Sequence, residues 1–441
     1  MLPILAQNVI TNFVNLLDNI MVGQIGTEQM SGVAIINQLL FVVNLCIFGS
    51  HEGAGILTAQ YYGKKDIIGV QNTHKIKLII ALSVTLCGIA ILFFFPSPLI
   101  HAFLHESSTG LDLAYTYECA QEYLMIMLIG LIPFALKDSY SSTLRECSLT
   151  FVPMIASISA IFVNLFFNYI LIFGKLGLPA LGVKGAAIAT VISRFAEFLI
   201  VALWAHLHPE RCEFVQDLYQ DFHIPKQQII AVIKMGLPLL LNEMLWSMGQ
   251  TTLTQCYSVR GLEVISAYNI ANTVNSLFSC AEFAMGESIS IIIGHLLGDN
   301  RLQQAKQEDS QIIFTSLCLC SVVSLIMISL SGIIPLLYST TTEVRQLAKG
   351  LLIIFAAIMP IDAMSQCGYF TLRTGGKTSI MFLFDSGFIW TIYVPLAFYI
   401  SRFTKIPIIP FMLMIKGFEI LKATLGLLLV KKGIWVNNLV K

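Results

Sequence analysis

The chain has 441 residues, of which 56% are hydrophobic and only 12% are charged, and its mean hydropathy is +0.78. Soluble globular proteins carry about twice that charged fraction, so most of the surface of this chain must face lipid. The 26 basic and 26 acidic residues cancel, which argues against a nucleic-acid partner, because phosphates demand a basic patch. The composition therefore predicts an all-α integral membrane protein.

Most of the ten cysteines lie in apolar stretches, and no two of them form a Cys-x-x-Cys pair. Cys318 and Cys320 are close in sequence, but they sit in a hydrophobic run that offers no other metal ligand. Buried cysteine behaves as a small hydrophobic residue, so we expect reduced cysteines that pack the interior. The first residues lack a basic region and a small-residue cleavage site, so we expect no cleavable signal.

Apolar runs long enough to cross about 30 Å of hydrocarbon occur at twelve places in the sequence. We number these predicted spans 1 to 12 in chain order: 2–22, 33–60, 76–99, 121–144, 151–173, 183–205, 229–258, 264–296, 311–337, 349–372, 380–401 and 408–430. The longest polar interruption, from His206 to Lys226, lies near the middle of the chain. The sequence therefore predicts an N-terminal six-helix bundle at 1–206, a cytoplasmic linker at 207–228 and a C-terminal six-helix bundle at 229–441.

The orientation of the spans follows from their basic residues, because Lys and Arg accumulate in cytoplasmic loops. With the N-terminus inside, fifteen lie on the cytoplasmic side: Lys64, Lys65, Lys75, Lys77, Arg145, Arg211, Lys226, Lys234, Arg301, Lys306, Arg373, Lys377, Lys431, Lys432 and Lys441. Seven lie outside: Lys175, Lys184, Arg260, Arg345, Lys349, Arg402 and Lys405. We therefore predict that both termini are cytoplasmic.

The two halves are related by an internal repeat. A shift of 235 positions aligns six residues of the first half with identical residues of the second: Pro3 with Pro238, Gly26 with Gly261, Ser31 with Ser266, Asn37 with Asn272, Glu52 with Glu287 and Gly63 with Gly298. A shift of 228 aligns Thr143-Leu144-Arg145 with Thr371-Leu372-Arg373. Both copies begin on the same side, so they are parallel repeats related by a pseudo-two-fold axis along the membrane normal. This organisation is typical of transporters, in which the substrate path runs between the halves.

Two spans carry a polar stripe at helical spacing. Span 1 has Asn8, Thr11, Asn12, Asn15, Asp18 and Asn19, and span 7 has Glu243, Ser247, Gln250 and Thr254 at positions equivalent to 8, 12, 15 and 19. Such stripes must face protein or water. Hydrogen bonding between helices is the alternative explanation, but an acid in each stripe favours a functional cavity. We predict that a substrate cavity is lined by Asn8, Asn12, Asn15, Ser247, Gln250 and Asn272.

Ionisable residues inside spans are expected to be functional unless they are paired. Asp18, Glu243 and Asp362 are the acids to which we assign cation or proton coupling. For Asp138, Glu197 and Glu419 a buried ion pair is the better explanation, and the spans provide four cations for it: Lys137, Arg194, Lys416 and Lys422.

Several segments resemble the multidrug and toxic compound extrusion (MATE) family. Span 1 has a proline and, fifteen positions later, an acid within Asp-x-x-Met-x-Gly, here Pro3, Asp18, Met21 and Gly23. The resemblance continues at 59–66, 164–190, 236–238, 294–305 and 362–378 and so covers essentially the whole chain. It implies twelve helices in two parallel six-helix halves.

The resemblance also implies roles for individual residues. Asp18 matches the first-helix acid that members use for proton-linked substrate release, and Asp362 matches the tenth-helix acid that helps to bind a coupling cation. Asn164 and Asn168 match an Asn-x-x-x-Asp pair of the fifth helix, with Asn in place of the second acid, and we place both in the substrate cavity. Glu243 lies five residues after the helix proline rather than eight, so it matches the seventh-helix glutamate by helix and face only. The resemblance therefore implies a Na⁺ site formed by Glu243 and Asp362.

These observations predict a secondary active antiporter, not an enzyme, that exports amphipathic, often cationic drugs and toxic small molecules. The coupling ion is Na⁺ or H⁺, no other cofactor is expected, and transport proceeds by alternating access between the two bundles. We expect a monomer in the plasma membrane of a bacterium, in contact with membrane lipid.

Two other classes of function fit the sequence less well. A flippase for lipid-linked saccharides is the alternative, because sister families share the architecture, but it would need a basic cavity, whereas these stripes are acidic and neutral. A membrane enzyme is disfavoured, because the sequence has no His-Glu-x-x-His, Gly-x-Ser-x-Gly or Gly-x-Gly-Asp motif.

Overall fold

The computed structural model describes residues 3–7, 10, 21, 26–101, 113–216, 218, 224–338 and 340–440. This part of the chain is helical and contains no strand. Ten of its helical segments are long and apolar enough to cross a membrane, judged by length and composition. We number the helices α1 to α12 after the predicted spans; of α1, the helical residues 3–7, 10 and 21 are described.

The first half continues with five long helices: α2 Thr27–Gly63, α3 Ile67–Phe94, α4 Leu113–Glu146, α5 Phe151–Phe173 and α6 Gly182–Leu207. A short helix, Pro96–His101, follows α3. α6 packs against both α4 and α5, and α3 packs against α4. α5 ends at Gly174, whose N–H donates to Ile170 O from a left-handed conformation (φ 65°) that glycine adopts without steric cost.

α3 corrects one predicted boundary. It begins at Ile67 rather than at 76, because its first turns carry the polar residues Asn72, Thr73, His74 and Lys75, all of which are buried. A hydropathy pattern assigns such residues to a loop, whereas here they pack inside the helical unit. The buried polar turns of α3 are therefore a feature that the apolar runs could not indicate.

The second half contains helices α7 to α12. Their bounds are α7 Lys226–Ser258, α8 Leu262–Phe278 and Cys280–Gly298, α9 Leu302–Leu330, α10 Thr342–Thr374, α11 Thr378–Phe382 and Val394–Phe403, and α12 Ile408–Gly417 and Glu419–Lys431. Two π-helical turns, Leu383–Gly387 and Ile389–Tyr393, join the parts of α11. α10 packs against α8, α9 and α12, so side chains from all these helices meet around it.

The chain divides into two compact units. One contains Ala6–Thr58 and Ile67–Ile233, and its apolar core includes Ile36, Leu124 and Leu131. The other contains Met1–Leu5, Ala59–Asp66 and Lys234–Lys441, with a core around Leu351, Leu352 and Phe411. We call them the N-terminal and C-terminal units. The segment 59–66 belongs to the C-terminal unit, which the repeat does not predict, and the domain boundaries drawn from the sequence stay a prediction.

The segment 59–66 is held by the last described residues of the chain. Trp435 is almost fully buried, and its indole N–H donates to Val430 O at 2.9 Å. Leu439 N donates to Gln60 Oε1 at 2.8 Å, and Lys64 Nζ donates to Val440 O at 2.6 Å. We call residues 433–440 the C-terminal strap, because its backbone groups tie α12 to the turn between α2 and α3.

Next to this strap the C-terminal ends of α2 and α8 cross with their backbones in contact. A Cβ on Gly63 would lie 2.1 Å from His295 O, and one on Gly298 would lie 1.9 Å from Gln60 O. The 235-residue shift relates 60 to 295 and 63 to 298, so the contact is reciprocal between repeat-equivalent positions. Only glycine fits at such a distance, since any side chain would overlap a carbonyl oxygen.

The start of the linker packs against the N-terminal unit. Gln71 Nε2 donates to Gln216 O at 2.8 Å, and the ring of Phe214 contacts that of His74, with centroids 5.0 Å apart. Cys212 is fully buried, and burial raises the pKa of its thiol to about 12. None of the ten cysteines forms a disulfide, so the linker is held by packing and hydrogen bonds.

Candidate functional site

Charged side chains converge inside the C-terminal unit. They come from α8, α10, α11 and α12, and all lie in otherwise apolar helices. The group, which we call the acidic cluster, consists of the acids Glu282, Asp362, Asp385 and Glu419 and the bases Lys416 and Lys422. It includes one of the three residues to which the sequence assigned coupling.

Asp362 has a lysine as its partner. Lys416 Nζ, from α12, lies 3.5 Å from Asp362 Oδ2 on α10, and the ammonium also lies 5.8 Å from the centre of the Phe355 ring. Glu282 of α8, which is 5% exposed, lies within electrostatic range of both Asp362 and Lys416. The carboxylate predicted to hold a coupling cation is thus already beside a positive charge.

The second lysine joins the remaining two acids. Lys422 Nζ lies 2.8 Å from Asp385 Oδ1 and 3.9 Å from Glu419 Oε1. Asp385 Oδ2 accepts from Asn242 Nδ2 at 3.0 Å, which ties α11 to α7. Tyr393 donates its hydroxyl to Glu419. These contacts fix the orientation of both carboxylates, and Asp385 lies within the first π-helical turn, a wider turn that often marks functional positions.

The charges of the acidic cluster do not balance. Four acids against two lysines leave an excess of two negative charges if every group is ionised. An uncompensated buried carboxylate is unfavourable, because its hydration is lost on burial. The cluster therefore favours the uptake of protons or of a cation, and its side chains supply carboxylate oxygens to receive them.

Glu243 has a different partner. Tyr369 Oη, seven residues after Asp362 on α10, donates to Glu243 Oε1 at 3.2 Å. Trp246, which stands eight residues after Pro238, packs against the apolar core. Among the described residues no group of three or more His, Cys, Asp or Glu side chains could hold a metal ion. A site shared by Glu243 and Asp362 stays a prediction, since each carboxylate contacts its own partner.

The predicted cavity residues fall into three classes. Ser247 and Gln250 are half-buried on α7, and Asn272 is exposed on α8. Asn164 and Asn168 are buried; Asn168 Nδ2 donates to Asn164 Oδ1 at 2.9 Å. This amide pair lies inside the N-terminal unit, beside Thr190 of α6. The remaining predicted residues lie outside the part of the chain that the structure describes: Asn8, Asn12, Asn15 and Asp18.

A polar chain links four helices within the N-terminal unit. Gln7 Nε2 donates to Ser157 Oγ at 2.8 Å, and Ser157 Oγ donates to Glu197 Oε1 at 2.6 Å. Lys137 Nζ lies 3.6 Å from Glu197 Oε2, whereas Arg194 stacks 5.0 Å from the centre of the Phe134 ring. Glu197 is therefore paired, as the sequence indicated, and its partner comes from α4 rather than from its own helix.

The sequence pointed to four members of the acidic cluster but not to their arrangement: Asp362, Glu419, Lys416 and Lys422. A lysine in the apolar run FMLMIKGF was a visible signal, because Lys is rare inside a span unless it is paired. Spacing within one helix cannot show which residue of another helix it meets. The pairing of Lys416 with Asp362 therefore required the structure.

The sequence matches known transporters along almost its full length. The MatE family model matches residues 3–170 and 238–398. The chain is 24% identical to the "Probable multidrug resistance protein NorM" of Thermotoga maritima, with 100% of this chain and 92% of the relative aligned. It is 25% identical to the "Multidrug resistance protein NorM" of Aliivibrio fischeri, with 89% and 84% aligned.

A solved structure shares the fold. The structure described as "Outward-facing conformation of a multidrug resistance MATE family transporter of the MOP superfamily" superposes with a TM-score of 0.88 at 18% identity, over 98% of this chain and 94% of that one. The likeness confirms the predicted fold class, in which twelve transmembrane helices form two six-helix bundles related by a pseudo-two-fold axis.

Proposed function

Because the chain belongs to the MatE family of multidrug and toxic compound extrusion transporters, we propose that it is a proton-driven antiporter that exports amphipathic, often cationic drugs and toxic small molecules. The names of its relatives support the class of substrate. The family consists of transporters rather than enzymes, so the acidic cluster is a coupling device and not a catalytic centre.

The contact between Lys416 and Asp362 is the reason that we propose H⁺ rather than Na⁺ as the coupling ion. A sodium ion needs several oxygen ligands close around it, and an ammonium 3.5 Å from Asp362 Oδ2 would repel it. A proton adds to one carboxylate oxygen of Asp362 or Glu282 and leaves the lysine in place. The excess of acids over bases supplies the binding capacity, and the lysine excludes the larger cation.

The transport cycle follows from this assignment. Protonation removes negative charge from the acidic cluster and changes which arrangement of the bundles is more stable, so the inward proton gradient drives export by alternating access. Both termini lie in the cytoplasm, and the chain resides in the plasma membrane of a bacterium. Asp18 serves as a further proton site, and the stripes of spans 1 and 7 line the path of the substrate.

A flippase for lipid-linked saccharides fits the acidic cluster poorly. A pyrophosphate group would have to approach carboxylates that already exceed the available lysines, and like charges repel strongly where little water screens them. Within the described residues of the C-terminal unit, the buried charges thus favour a cationic or neutral cargo.

Purified protein in proteoliposomes tests the proposal. Ethidium transport is followed by fluorescence while a pH gradient or a Na⁺ gradient is imposed separately, each without the other. We expect an imposed proton gradient to drive the dye in the direction opposite to proton flow. We expect no dye transport with a Na⁺ gradient alone. Asp362→Asn should abolish the response, whereas Lys431→Gln, which alters an exposed lysine at the end of α12, should keep it.

Two results would contradict the proposal. Dye transport driven by Na⁺ at constant pH would show that the coupling ion is sodium. Absence of dye transport with either gradient, from protein that is folded, would remove the assignment as a multidrug antiporter.

A further inference from the structure

A histidine and an aspartate form a buried pair in the N-terminal unit, away from the acidic cluster. His51 on α2 is 3% exposed, and its Nδ1 lies 3.1 Å from Asp138 Oδ2 on α4. Its other ring nitrogen, Nε2, lies 2.8 Å from Ser139 Oγ. Both ring nitrogens therefore lie close to an oxygen, Nε2 in a hydrogen bond and Nδ1 in an ion-pair contact, and the transport scheme above uses neither contact.

The hydrogen atoms of this site can be counted. Ser139 has one hydroxyl hydrogen, and the hydroxyl donates it to Ala135 O at 2.9 Å. Towards His51 the hydroxyl oxygen must then accept, so Nε2 carries a hydrogen. Nδ1 lies within ion-pair distance of a carboxylate oxygen, whose negative charge favours a hydrogen on Nδ1 as well. In this arrangement His51 is an imidazolium beside the Asp138 carboxylate.

Loss of one proton has a defined structural consequence. A neutral His51 that keeps its Nδ1–H towards Asp138 presents a lone pair at Nε2. Ser139 must then rotate its hydroxyl hydrogen from Ala135 O to Nε2, because two facing acceptors repel each other. The site has two hydrogen-bonding arrangements that differ by one proton, and the serine hydroxyl changes partner between them.

An apolar contact and a set of charged groups surround this pair. One turn earlier on α2, Ile47 packs with Ala81 and Ala135 in an apolar contact. Other titratable and charged groups near the pair come from α3, α4 and α6, and include His74, Lys77, Lys137, Arg145, Glu146 and His206; the buried Glu52 follows His51 on α2. Of these, Lys77 and Glu146 pair with each other, and Lys137 pairs with Glu197. Asp138 is thus the acid that faces His51 within ion-pair distance.

The second repeat shows that the fold does not need a titratable pair at this place. The shift of 235 relates His51 to Gly286, and the shift of 228 relates Asp138 to Gln366 and Ser139 to Cys367. At Gly286 the space is filled by the Phe370 ring, which a Cβ would approach to 2.1 Å. An apolar ring therefore packs at the equivalent helix crossing in the C-terminal unit. A buried ion pair in its place costs desolvation energy, which indicates a role beyond packing.

We propose that His51 and Asp138 form a proton-binding site of the N-terminal unit, and that His51 exchanges one proton with solvent during the transport cycle. The second half of this statement rests on the proposed proton coupling, whereas the first half concerns the folded protein alone. The site lies near the end of the unit that carries the linker, since His74, the neighbouring group on α3, contacts Phe214.

The first half is tested by nitrogen-15 NMR of purified protein in nanodiscs, labelled at its eight histidines. One imidazole signal should be lost in His51→Gln and, in the wild type, should have the nitrogen shifts of a ring that carries a proton on both nitrogens. Asp138→Asn should move these shifts towards those of a neutral ring, because it removes the opposite charge. Ser139→Ala should move them by less, and it identifies the signal if His51→Gln does not fold. His208→Gln, in the linker, is the control and should leave the His51 shifts unchanged.

The second half is tested with the pH dependence of dye transport. The pH dependence of transport should change in Ser139→Ala in the direction that the NMR shifts of this variant indicate. A wild-type His51 signal with the shifts of a neutral ring, or a signal insensitive to Asp138→Asn, would overturn the binding site. A pH dependence of transport that stays fixed while the NMR shifts move would overturn the exchange. Protein that exports no dye but has a doubly protonated His51 would refute the proposed function and leave the binding site standing.

Discussion

His74 and Asp309 occupy the same position in the two repeats, and each contacts the repeat-equivalent threonine. His74 Nδ1 lies 3.0 Å from Thr143 Oγ1, and Thr371 Oγ1 donates to Asp309 Oδ1 at 2.6 Å. The shift of 235 relates 74 to 309, and the shift of 228 relates 143 to 371. The duplication has thus kept a contact between the third and fourth helices of each half while the titratable group changed from imidazole to carboxyl.

This contact gives a prediction for stability. Asp309 is 1% exposed, and the amide oxygen of Asp309→Asn can still accept from Thr371, so the Asn variant should unfold at nearly the wild-type temperature. Asp309→Leu leaves the Thr371 hydroxyl without this acceptor and should cost about 1–3 kcal/mol. Thermal unfolding in detergent measures both. Equal losses in the two variants would mean that the carboxyl group itself, rather than its acceptor, holds the helices.

Lys416 should control which cation the acidic cluster accepts. In Lys416→Gln the ammonium beside Asp362 is replaced by a neutral amide whose oxygen is a suitable ligand for Na⁺. We expect dye transport by this variant to become stimulated by Na⁺, while transport by the wild type and by Lys431→Gln stays insensitive. Proteoliposome assays at constant pH compare the three proteins. If Lys416→Gln remains indifferent to Na⁺, the lysine does not exclude sodium.

Glu243 should be coupled energetically to Tyr369 but not to Lys416. Residues in contact give interaction energies of about 0.5–3 kcal/mol in double-mutant cycles, and Tyr369 Oη lies 3.2 Å from Glu243 Oε1. The effects of Glu243→Gln and Tyr369→Phe on unfolding should therefore be non-additive, whereas those of Glu243→Gln and Lys416→Gln should add. The opposite pattern would place Glu243 in one unit with the Asp362–Lys416 pair and would support the shared site.

The crossing of α2 and α8 should tolerate no side chain. Gly63→Ala and Gly298→Ala each introduce a Cβ where a carbonyl oxygen lies, and the helices must separate, at a cost of about 1–3 kcal/mol. Gly417→Ala is the control, because a Cβ there meets nothing within 4 Å. A lowered unfolding temperature in the first two variants, but not in the third, is the expected result. Unchanged stability in all three would show that the crossing opens at little cost.

The sequence predicted the class of fold for physical reasons that apply to any membrane chain. Spans of about 20 apolar residues and a duplicated pattern are long-range signals that no single residue can obscure. Where the prediction was wrong, polar residues were buried: α3 begins at Ile67 because His74 and its neighbours have partners inside the unit. Hydropathy records the cost of burying a group and cannot record the partner that offsets it.

The candidate site was predicted less completely for the same reason. Composition and spacing showed that Asp362 and Glu419 lie in spans, and that Lys416 and Lys422 were available to them. Which acid meets which lysine depends on the rotation of α12 relative to α10 and on the π-helical turns of α11, and neither follows from a local pattern. Contacts between side chains on different helices therefore do not follow from the sequence pattern and require the structure.

The C-terminal strap has a consequence for the biosynthesis of the protein. Leu439 bonds to Gln60 across 379 residues of sequence, so the turn after α2 leaves the ribosome long before its partner is made. Until then the carbonyl and amide groups around Gln60 lack the strap, and the crossing of Gly63 with Gly298 waits for α8 as well. Contacts so distant in sequence form slowly, because the intervening chain must first be ordered. α2 is therefore synthesised early but completes its contacts last. A ribosome stalled within α12 would hold a chain in which the turn after α2 still lacks its hydrogen bonds to the C-terminal strap.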